Sequence, residues 1–237
     1  INKSRLKFIR SSSASLPIVV LKKLESIFNC PVIEAYGMTE ASHQMASNPL
    51  PPLTRKAGTV GLAAGPAIEI MSKEGKILPP NQIGEIVIKG ANVTKGYKNN
   101  PKANEENFIN GWFRTGDEGS IDIEGYLSIK GRLKEIINRG GEKISPKEVD
   151  EALITHPNVA QAVTFSVPHE KLGEDIAAAL VLVDDNKNTE ADFQTFLKTR
   201  LASFKIPKKI IFLKEIPKGS TGKIQRIGLA EKLGIKK

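Results

Sequence analysis

The sequence has little cysteine and no long apolar run. Its one cysteine, Cys30, cannot form a disulfide bond within the chain, and the three histidines form no Cys/His cluster with metal-ligand spacing. The longest apolar run, 176–183, is far shorter than the roughly 20 residues that a membrane-spanning helix needs. These absences exclude a disulfide-stabilised secreted scaffold, a zinc module and a membrane-spanning protein.

Aromatic residues are also scarce, at 5%, but 40% hydrophobic content over 237 residues is enough for a packed core. This length predicts one large domain or two modest ones. The chain starts at Ile1 without a basic-then-apolar leader, so we expect a segment of a longer protein. Its last residues are not a Ser-Lys-Leu peroxisomal signal, which leaves the cytoplasm as the expected location.

The positive charge is concentrated at the carboxyl end. Residues 205–237 contain 10 Lys+Arg against 2 Asp+Glu, so they supply +8 of the net charge of +9. A basic segment suits nucleic acid, an anionic membrane or a phosphorylated small molecule. Stacking on nucleic-acid bases needs interleaved aromatics, and this segment has only Phe212. We therefore expect no nucleic-acid partner and, without an apolar span, no membrane partner; the sequence gives no oligomeric state.

Hydrophobic periodicity predicts two regions of different secondary structure. Ser15 is a candidate cap for the first helix, residues 189–192 form a candidate capping box, and Glu124-Gly125 is a candidate hairpin turn. The middle third resembles a small twisted sheet or barrel, and a compact α+β unit follows a boundary near 132–134. The predicted helices are 17–28, 146–155 and 190–202. The predicted strands are 32–36, 67–71, 84–89, 120–123, 126–130, 159–167, 176–183 and 209–213.

Four segments hold more Gly, Thr, charged and aromatic residues than folding requires. Each has an ordinary structural alternative, since each contains glycines that suit a turn or a surface loop. The last segment also invites comparison with a phosphate-binding P-loop, but Pro217 stands where that motif needs Gly and Ile224 where it needs Ser or Thr. The segments are 36–40, 111–117, 131–146 and 217–226.

In their order and spacing, these motifs resemble the carboxyl-terminal half of the adenylate-forming acyl-CoA synthetases. The resemblance implies a mixed α/β and α+β fold. Residues 1–132 would be the β-rich end of the large ATP- and acyl-binding domain, and residues 133–237 a small mobile α+β domain. It also implies ATP, Mg²⁺ and CoA as cofactors: a carboxylate attacks the α-phosphate of ATP, and a thiol then displaces AMP. The family's Ser/Thr/Gly-rich phosphate loop lies upstream of these motifs and is not in this chain.

The resemblance assigns roles to the first two motifs. Thr39 would contact phosphate, and Glu40 would help to hold Mg²⁺, a hard ion that suits carboxylate and phosphate oxygens. Asp117 would accept hydrogen bonds from the ribose hydroxyls, and Arg132 would make a second ribose contact. Tyr36 would offer its ring face to adenine, flanked by the other residues of this site, Glu34, Ala35 and Gly37.

The resemblance also assigns roles to residues of the later motifs, which belong to the mobile small domain. Lys223 would be the catalytic lysine that bridges the incoming carboxylate and the α-phosphate during adenylation. Lys134 would be the hinge about which the small domain turns between the two half-reactions. Gly140 and Gly141, which lack a Cβ, would let the pantetheine arm of CoA approach closely.

The acid is indicated by the surroundings of the first motif and by an earlier segment. The segments 11–17, 35–45 and 47–51 look most like those of oxalate–CoA ligases, in which Ser13 and His43 would meet the far carboxylate. A short dianion needs a small pocket with hydrogen-bond donors, whereas an aromatic or fatty acid needs apolar walls. Two alternatives stay open: an adenylation domain that loads a carrier protein, and an acyl-CoA ligase for aromatic or fatty acids.

Overall fold

A computed structural model describes residues 6–184, 188–219, 222 and 224–235. The chain divides into two compact units, Ile1–Leu133 and Lys134–Lys237. This division lies one residue beyond the boundary expected between residues 132 and 133. No helix in the described ranges is long and apolar enough to cross a membrane.

The first unit begins with a β–α–β crossover. β1 pairs with β2 in parallel, with Ser11 opposite Glu34, and α1 connects them. The expected cap at Ser15 is wrong, because the helix is preceded by Pro17 and no side chain caps it. The sheet order is β1-β2-β3-β4. The elements are β1 (Ile9–Ser11), α1 (Ile18–Phe28), β2 (Val32–Tyr36), a 3-10 turn (Thr39–Ala41), β3 (Ala46–Ser47) and β4 (Leu62–Ala63).

A second sheet, entirely antiparallel, completes this unit. Its order is β5-β6-β8-β7, and β9 pairs with the other end of β8. Buried side chains from both sheets, including Ala46, Ile88, Phe113 and Leu127, form its core. The elements are β5 (Ala67–Met71), β6 (Gly84–Lys89), α2 (Pro101–Asn107), β7 (Phe108–Ile109), β8 (Trp112–Ile121) and β9 (Leu127–Arg132).

The second unit is a sheet covered on both faces. Alternate residues of β13 point to opposite sides: Ile176 and Ala178 pack with α3 and α4, while Ala177 and Ala179 pack with α5. The order is β11-β10-β13-β12, with β14 parallel to β13. The elements are a 3-10 turn (Leu133–Glu135), β10 (Ile137–Arg139), β11 (Glu142–Ile144), α3 (Pro146–Leu153), β12 (Val159–His169), β13 (Gly173–Leu182), α4 (Glu190–Lys198), a 3-10 turn (Ser203–Lys205), β14 (Lys209–Phe212) and α5 (Leu229–Lys232).

The mixed α/β and α+β architecture predicted from the sequence is therefore confirmed. The capping box at Thr189 and Asp192 is present, and Pro146 occupies the first turn of α3. Two expectations need correction. The hairpin strand expected at 120–123 is the end of a longer strand that starts at Trp112, and α4 ends at Lys198 rather than near 202.

Candidate active site

Strand β2 delivers the first motif to the edge of its sheet. Two of its predicted site residues have buried side chains: Ala35 is 4% exposed and Glu34 is 6% exposed. A carboxylate oxygen of Glu34 accepts a hydrogen bond from the backbone N–H of Leu16 at 3.0 Å. Glu34 thereby ties the segment after β1 to the end of β2.

Gly37 allows the chain to turn sharply after this strand. A Cβ at this position would lie 2.1 Å from the carbonyl oxygen of His43, which no side chain can tolerate. The turn is closed by a hydrogen bond from the His43 N–H to the Met38 carbonyl at 3.0 Å. It places Thr39 at the surface and leaves Glu40 half-buried.

The structure brings three predicted nucleotide-binding residues together around a buried carboxylate. Asp117, in the middle of β8, is 5% exposed. The phenol of Tyr36 donates a hydrogen bond to its Oδ2, and Arg132, at the end of β9, forms an ion pair with its Oδ1 at 3.2 Å. The Arg132 side chain is itself 65% exposed, so it reaches this carboxylate from the solvent side.

Burial governs the protonation of this cluster. It raises the pKa of Asp117, an effect to which Glu85 adds and which Tyr36 and Arg132 partly offset. Burial, followed by the neighbouring Asp117 charge, raises the pKa of Tyr36 as well. Tyr36 therefore remains a donor at neutral pH, and the cluster presents one fixed acceptor group beside a cation.

A second carboxylate, that of Glu40, is held by a residue that sequence reasoning missed. The Tyr97 hydroxyl donates to Glu40 Oε1 at 2.8 Å, and the Thr94 N–H donates to the Glu40 carbonyl at 2.7 Å. Burial, and then the bond to Glu40, raise the pKa of Tyr97 to about 12. The one sequence signal was an aromatic residue in a loop rich in Gly and Asn, and that signal does not identify a partner 57 positions away.

The donor set at Glu40 is compatible with Mg²⁺. This ion is usually held by one or two carboxylates together with substrate phosphates, and it keeps several waters. Among the described residues, no hydrogen bond or ion pair engages the second oxygen of the Glu40 carboxylate. No group of three or more His, Cys, Asp or Glu residues able to hold a metal occurs in the described part of the chain. Glu40 therefore has one carboxylate oxygen available to a hard cation.

The two predicted acid-binding residues lie at the same edge of the first sheet. Ser13 follows β1 and His43 follows the turn after β2, and carboxyl ends of parallel strands meet at one edge. Both side chains are exposed, and both residues have a positive φ, 74° for Ser13 and 65° for His43. The edge thus carries two unusual backbone positions with accessible polar side chains, and no hydrogen bond joins these side chains in the described structure.

In the second unit, Gly140 and Gly141 form the turn between β10 and β11. Their φ angles, 59° and 99°, favour glycine, and nothing lies within 4 Å of a Cβ at Gly141. The Gly140 N–H donates to the Leu172 carbonyl at 3.0 Å, which fixes the turn. Lys134 is exposed in the 3-10 turn Leu133–Glu135. The turn that was the structural alternative for these glycines is present. The Leu172 side chain lies against Gly140, whereas the backbone at Gly141 is open.

Lys223, like Ser220 and Thr221, lies outside the described residues, so its predicted role stays a prediction. The residues flanking it are described: Lys218 pairs with Ile224 across an isolated bridge. Three residues after Lys223, Arg226 contacts three parts of the unit, and sequence reasoning missed this residue. It pairs with Asp150 at 2.6 Å and with Glu135 at 3.1 Å, and it donates to the Thr164 carbonyl at 2.9 Å.

With this geometry in view, comparison with known proteins identifies the class. A family model described as AMP-binding enzyme matches residues 2–98, and one described as AMP-binding enzyme C-terminal domain matches residues 148–223. The chain belongs to this adenylate-forming family, of which it represents the carboxyl-terminal half.

Several individual proteins are similar to this chain over nearly its whole length. The chain is 53% identical to an oxalate–CoA ligase of Arabidopsis thaliana over 94% of its own length and 43% of that protein's. It is 53% identical to an oxalate–CoA ligase of Saccharomyces cerevisiae, over 95% of this chain and 42% of the relative. A crystal structure of ATP-bound MatB from Rhodopseudomonas palustris matches with a TM-score of 0.89 and 35% identity, over 96% of this chain and 46% of the other. The chain spans less than half the length of these relatives.

The contacts of Arg226 generate a pH-dependent prediction. Asp150 is only 15% exposed, and its burial raises its pKa to about 6 although Arg226 and Thr164 act to lower it. In Arg226→Gln the cation is lost and the pKa of Asp150 should rise further. When the pKa of an aspartate is higher in the folded than in the unfolded state, the protein loses folding free energy as pH increases from the lower pKa to the higher one. The deficit of the variant, measured by urea unfolding, should therefore grow from about pH 5 to about pH 8, reaching about 3 kcal/mol.

Lys205→Gln is the matched control. Lys205 contacts Glu148, on the same helix α3, at 2.7 Å, and Glu148 is 45% exposed. Breaking this more solvated pair should cost less than about 1 kcal/mol at either pH. A deficit of Arg226→Gln that does not change with pH would contradict the account of Asp150.

Proposed function

We propose that the protein containing this chain is an AMP-forming acid–thiol ligase that activates a short dicarboxylic acid, oxalate in the first instance, and transfers it to CoA. The observation that carries the proposal is the buried Asp117 carboxylate between Tyr36 and Arg132. A carboxylate held in this way is a fixed acceptor for a pair of vicinal hydroxyls. Each carboxylate oxygen has two lone pairs, so both retain capacity after accepting from the protein.

In the proposed nucleotide site, Asp117 accepts hydrogen bonds from the ribose hydroxyls and the exposed Arg132 makes a second contact with the ribose. The Tyr36 ring offers its face to adenine while its hydroxyl remains fixed on Asp117. Gly37 allows the sharp turn that follows Tyr36, and Ala35 and Glu34 precede Tyr36 with buried side chains. Because these groups are set by the sheet before ATP arrives, little ordering cost remains for binding.

Adenylation brings together two anions, a carboxylate and a triphosphate. An oxygen of the acid attacks the α-phosphorus, a new P–O bond forms, and the bond to pyrophosphate breaks. Thr39, exposed on the turn, donates to phosphate, and Glu40 holds Mg²⁺, which would supply charge neutralisation when bound. Lys223 places its cation between the acid and the α-phosphate, where charge develops in the transition state.

Thioester formation is the second proposed step. The sulfur of CoA attacks the acyl carbon, AMP leaves with the electrons of the C–O bond, and the thiol proton is released. The turn at Gly140 and Gly141, whose backbone is open at Gly141, lets the thin pantetheine arm approach. Lys134 is the proposed hinge between the two steps. The choice of acid is assigned to Ser13 and His43, whose side chains are exposed at one sheet edge.

Lys223→Ala in the full-length protein separates the two steps. Its cation serves the first transition state alone, so acid-dependent ATP–pyrophosphate exchange should fall by about 10² or more. Thioester formation from a supplied acyl adenylate should be nearly unchanged. Lys218→Ala removes a nearby exposed lysine, paired with Glu215 at 3.4 Å, and should leave both rates as they are. Equal losses in the two half-reactions of Lys223→Ala would sink the assignment.

Acid selectivity is tested with His43→Ala. A donor facing the second carboxylate of a diacid is worth roughly 1 to 3 kcal/mol, so kcat/KM for oxalate should fall about 5- to 150-fold. Acetate should lose much less, since it has no charge at that end. The control is Ser42→Ala. Ser42 lies in the same turn as His43, and its hydroxyl donates a hydrogen bond to the Asn92 carbonyl. Wild-type preference for coumarate or a fatty acid, or an equal loss for every acid in His43→Ala, would exclude the oxalate assignment.

A further inference from the structure

Glu40 is fixed at two points by one loop. Its carbonyl accepts from the Thr94 N–H at 2.7 Å and its carboxylate accepts from the Tyr97 hydroxyl at 2.8 Å. The main chain and the side chain of Glu40 are therefore both held by hydrogen bonds from residues only three positions apart. A glutamate side chain with free rotamers would lose conformational entropy on binding a metal, and this arrangement removes much of that loss in advance.

Tyr97 is itself held rigidly before it reaches Glu40. The Asn104 side chain accepts from the Tyr97 N–H at 2.7 Å and donates to the Tyr97 carbonyl at 3.0 Å. The Tyr97 ring also packs against Phe113, with ring centroids 6.5 Å apart. Asn104 lies in α2, so the backbone of Tyr97 is anchored by a helix as well as by its own loop.

The position of the hydroxyl matters because it engages Oε1 only. In the described residues, no hydrogen bond or ion pair engages the other oxygen, Oε2. Partners that hydrogen-bond a ligating group orient it and raise metal affinity, and removing them typically weakens binding by about 10- to 100-fold. We propose that Tyr97 is a positioning residue that fixes the Glu40 carboxylate so that its second oxygen meets the magnesium ion of Mg–ATP. This inference rests on the proposed function, in which Glu40 holds that ion.

The test is Tyr97→Phe in the full-length protein, which removes one oxygen and keeps the ring. Binding of Mn²⁺ in the presence of a non-hydrolysable ATP analogue, followed by electron paramagnetic resonance of the free ion, should weaken by about 10-fold. The affinity for the analogue without metal should not change. The Mg²⁺ concentration that gives half-maximal ATP–pyrophosphate exchange should rise by a similar factor.

Tyr126→Phe is the matched control. Its hydroxyl donates to the Thr54 carbonyl at 2.6 Å in the same unit, and Tyr126 is buried whereas Tyr97 is half-buried. The loss of this bond should reduce thermal stability but leave metal binding at the wild-type level. Asn104→Ala is a second variant, which keeps the Tyr97 hydroxyl and releases its backbone; it should weaken Mn²⁺ binding by a smaller factor.

The outcomes separate this inference from the proposed function. If Tyr97→Phe and Asn104→Ala lower stability but bind Mn²⁺ as wild type does, Tyr97 is only a structural residue and the inference is overturned. If that occurs while Glu40→Gln loses Mn²⁺ binding, the metal role of Glu40 stands without Tyr97. If Glu40→Gln also binds Mn²⁺ normally, the proposed metal site itself is wrong.

Discussion

The site depends on one buried negative charge, the carboxylate of Asp117. An ionised carboxylate that is 5% exposed is costly unless it is paired and hydrogen-bonded. Tyr36 and Arg132 satisfy this requirement from β2 and β9, so the carboxylate on β8 fixes the relative positions of three strands. These contacts stabilise the buried charge and fix the position of the carboxylate. Stability and the proposed recognition of the nucleotide thus depend on the same residues.

Much of the fold follows from local sequence patterns. Strands 32–36, 67–71 and 84–89 match the prediction residue for residue, since each is an apolar segment bounded by turn residues. The capping box at Thr189 and Asp192 was also predicted, because its two partners are three positions apart. The candidate site residues in the first two motifs were assigned through their resemblance to a family. That resemblance assigned Tyr36 and Asp117 to one nucleotide site, but the hydrogen bond that joins them across 81 positions is seen only in the structure.

The misses have physical causes. The first part of β8 was overlooked because a glycine, Gly116, with polar neighbours is typical of a loop. In the structure Gly116 has a φ of 73°. It stays within the strand, and its N–H donates to Glu85 at 3.1 Å. Tyr97 and Arg226 were missed because their partners are distant in sequence. A hydrogen bond between Tyr97 and Glu40, or an ion pair between Arg226 and Glu135, is set by packing rather than by periodicity.

The most direct test of this account is the discrimination of ribose by Asp117. Calorimetry on the full-length protein would compare the binding of AMP and of its 2′,3′-dideoxy analogue to wild type and to Asp117→Asn. Because the analogue lacks both ribose hydroxyls, we expect wild type to bind AMP about 10-fold or more tightly than the analogue. Asp117→Asn should lose this preference, while its affinity for the analogue changes little. If Asp117→Asn stays folded and still prefers AMP by the wild-type factor, the buried carboxylate does not recognise the nucleotide, and the central claim is wrong.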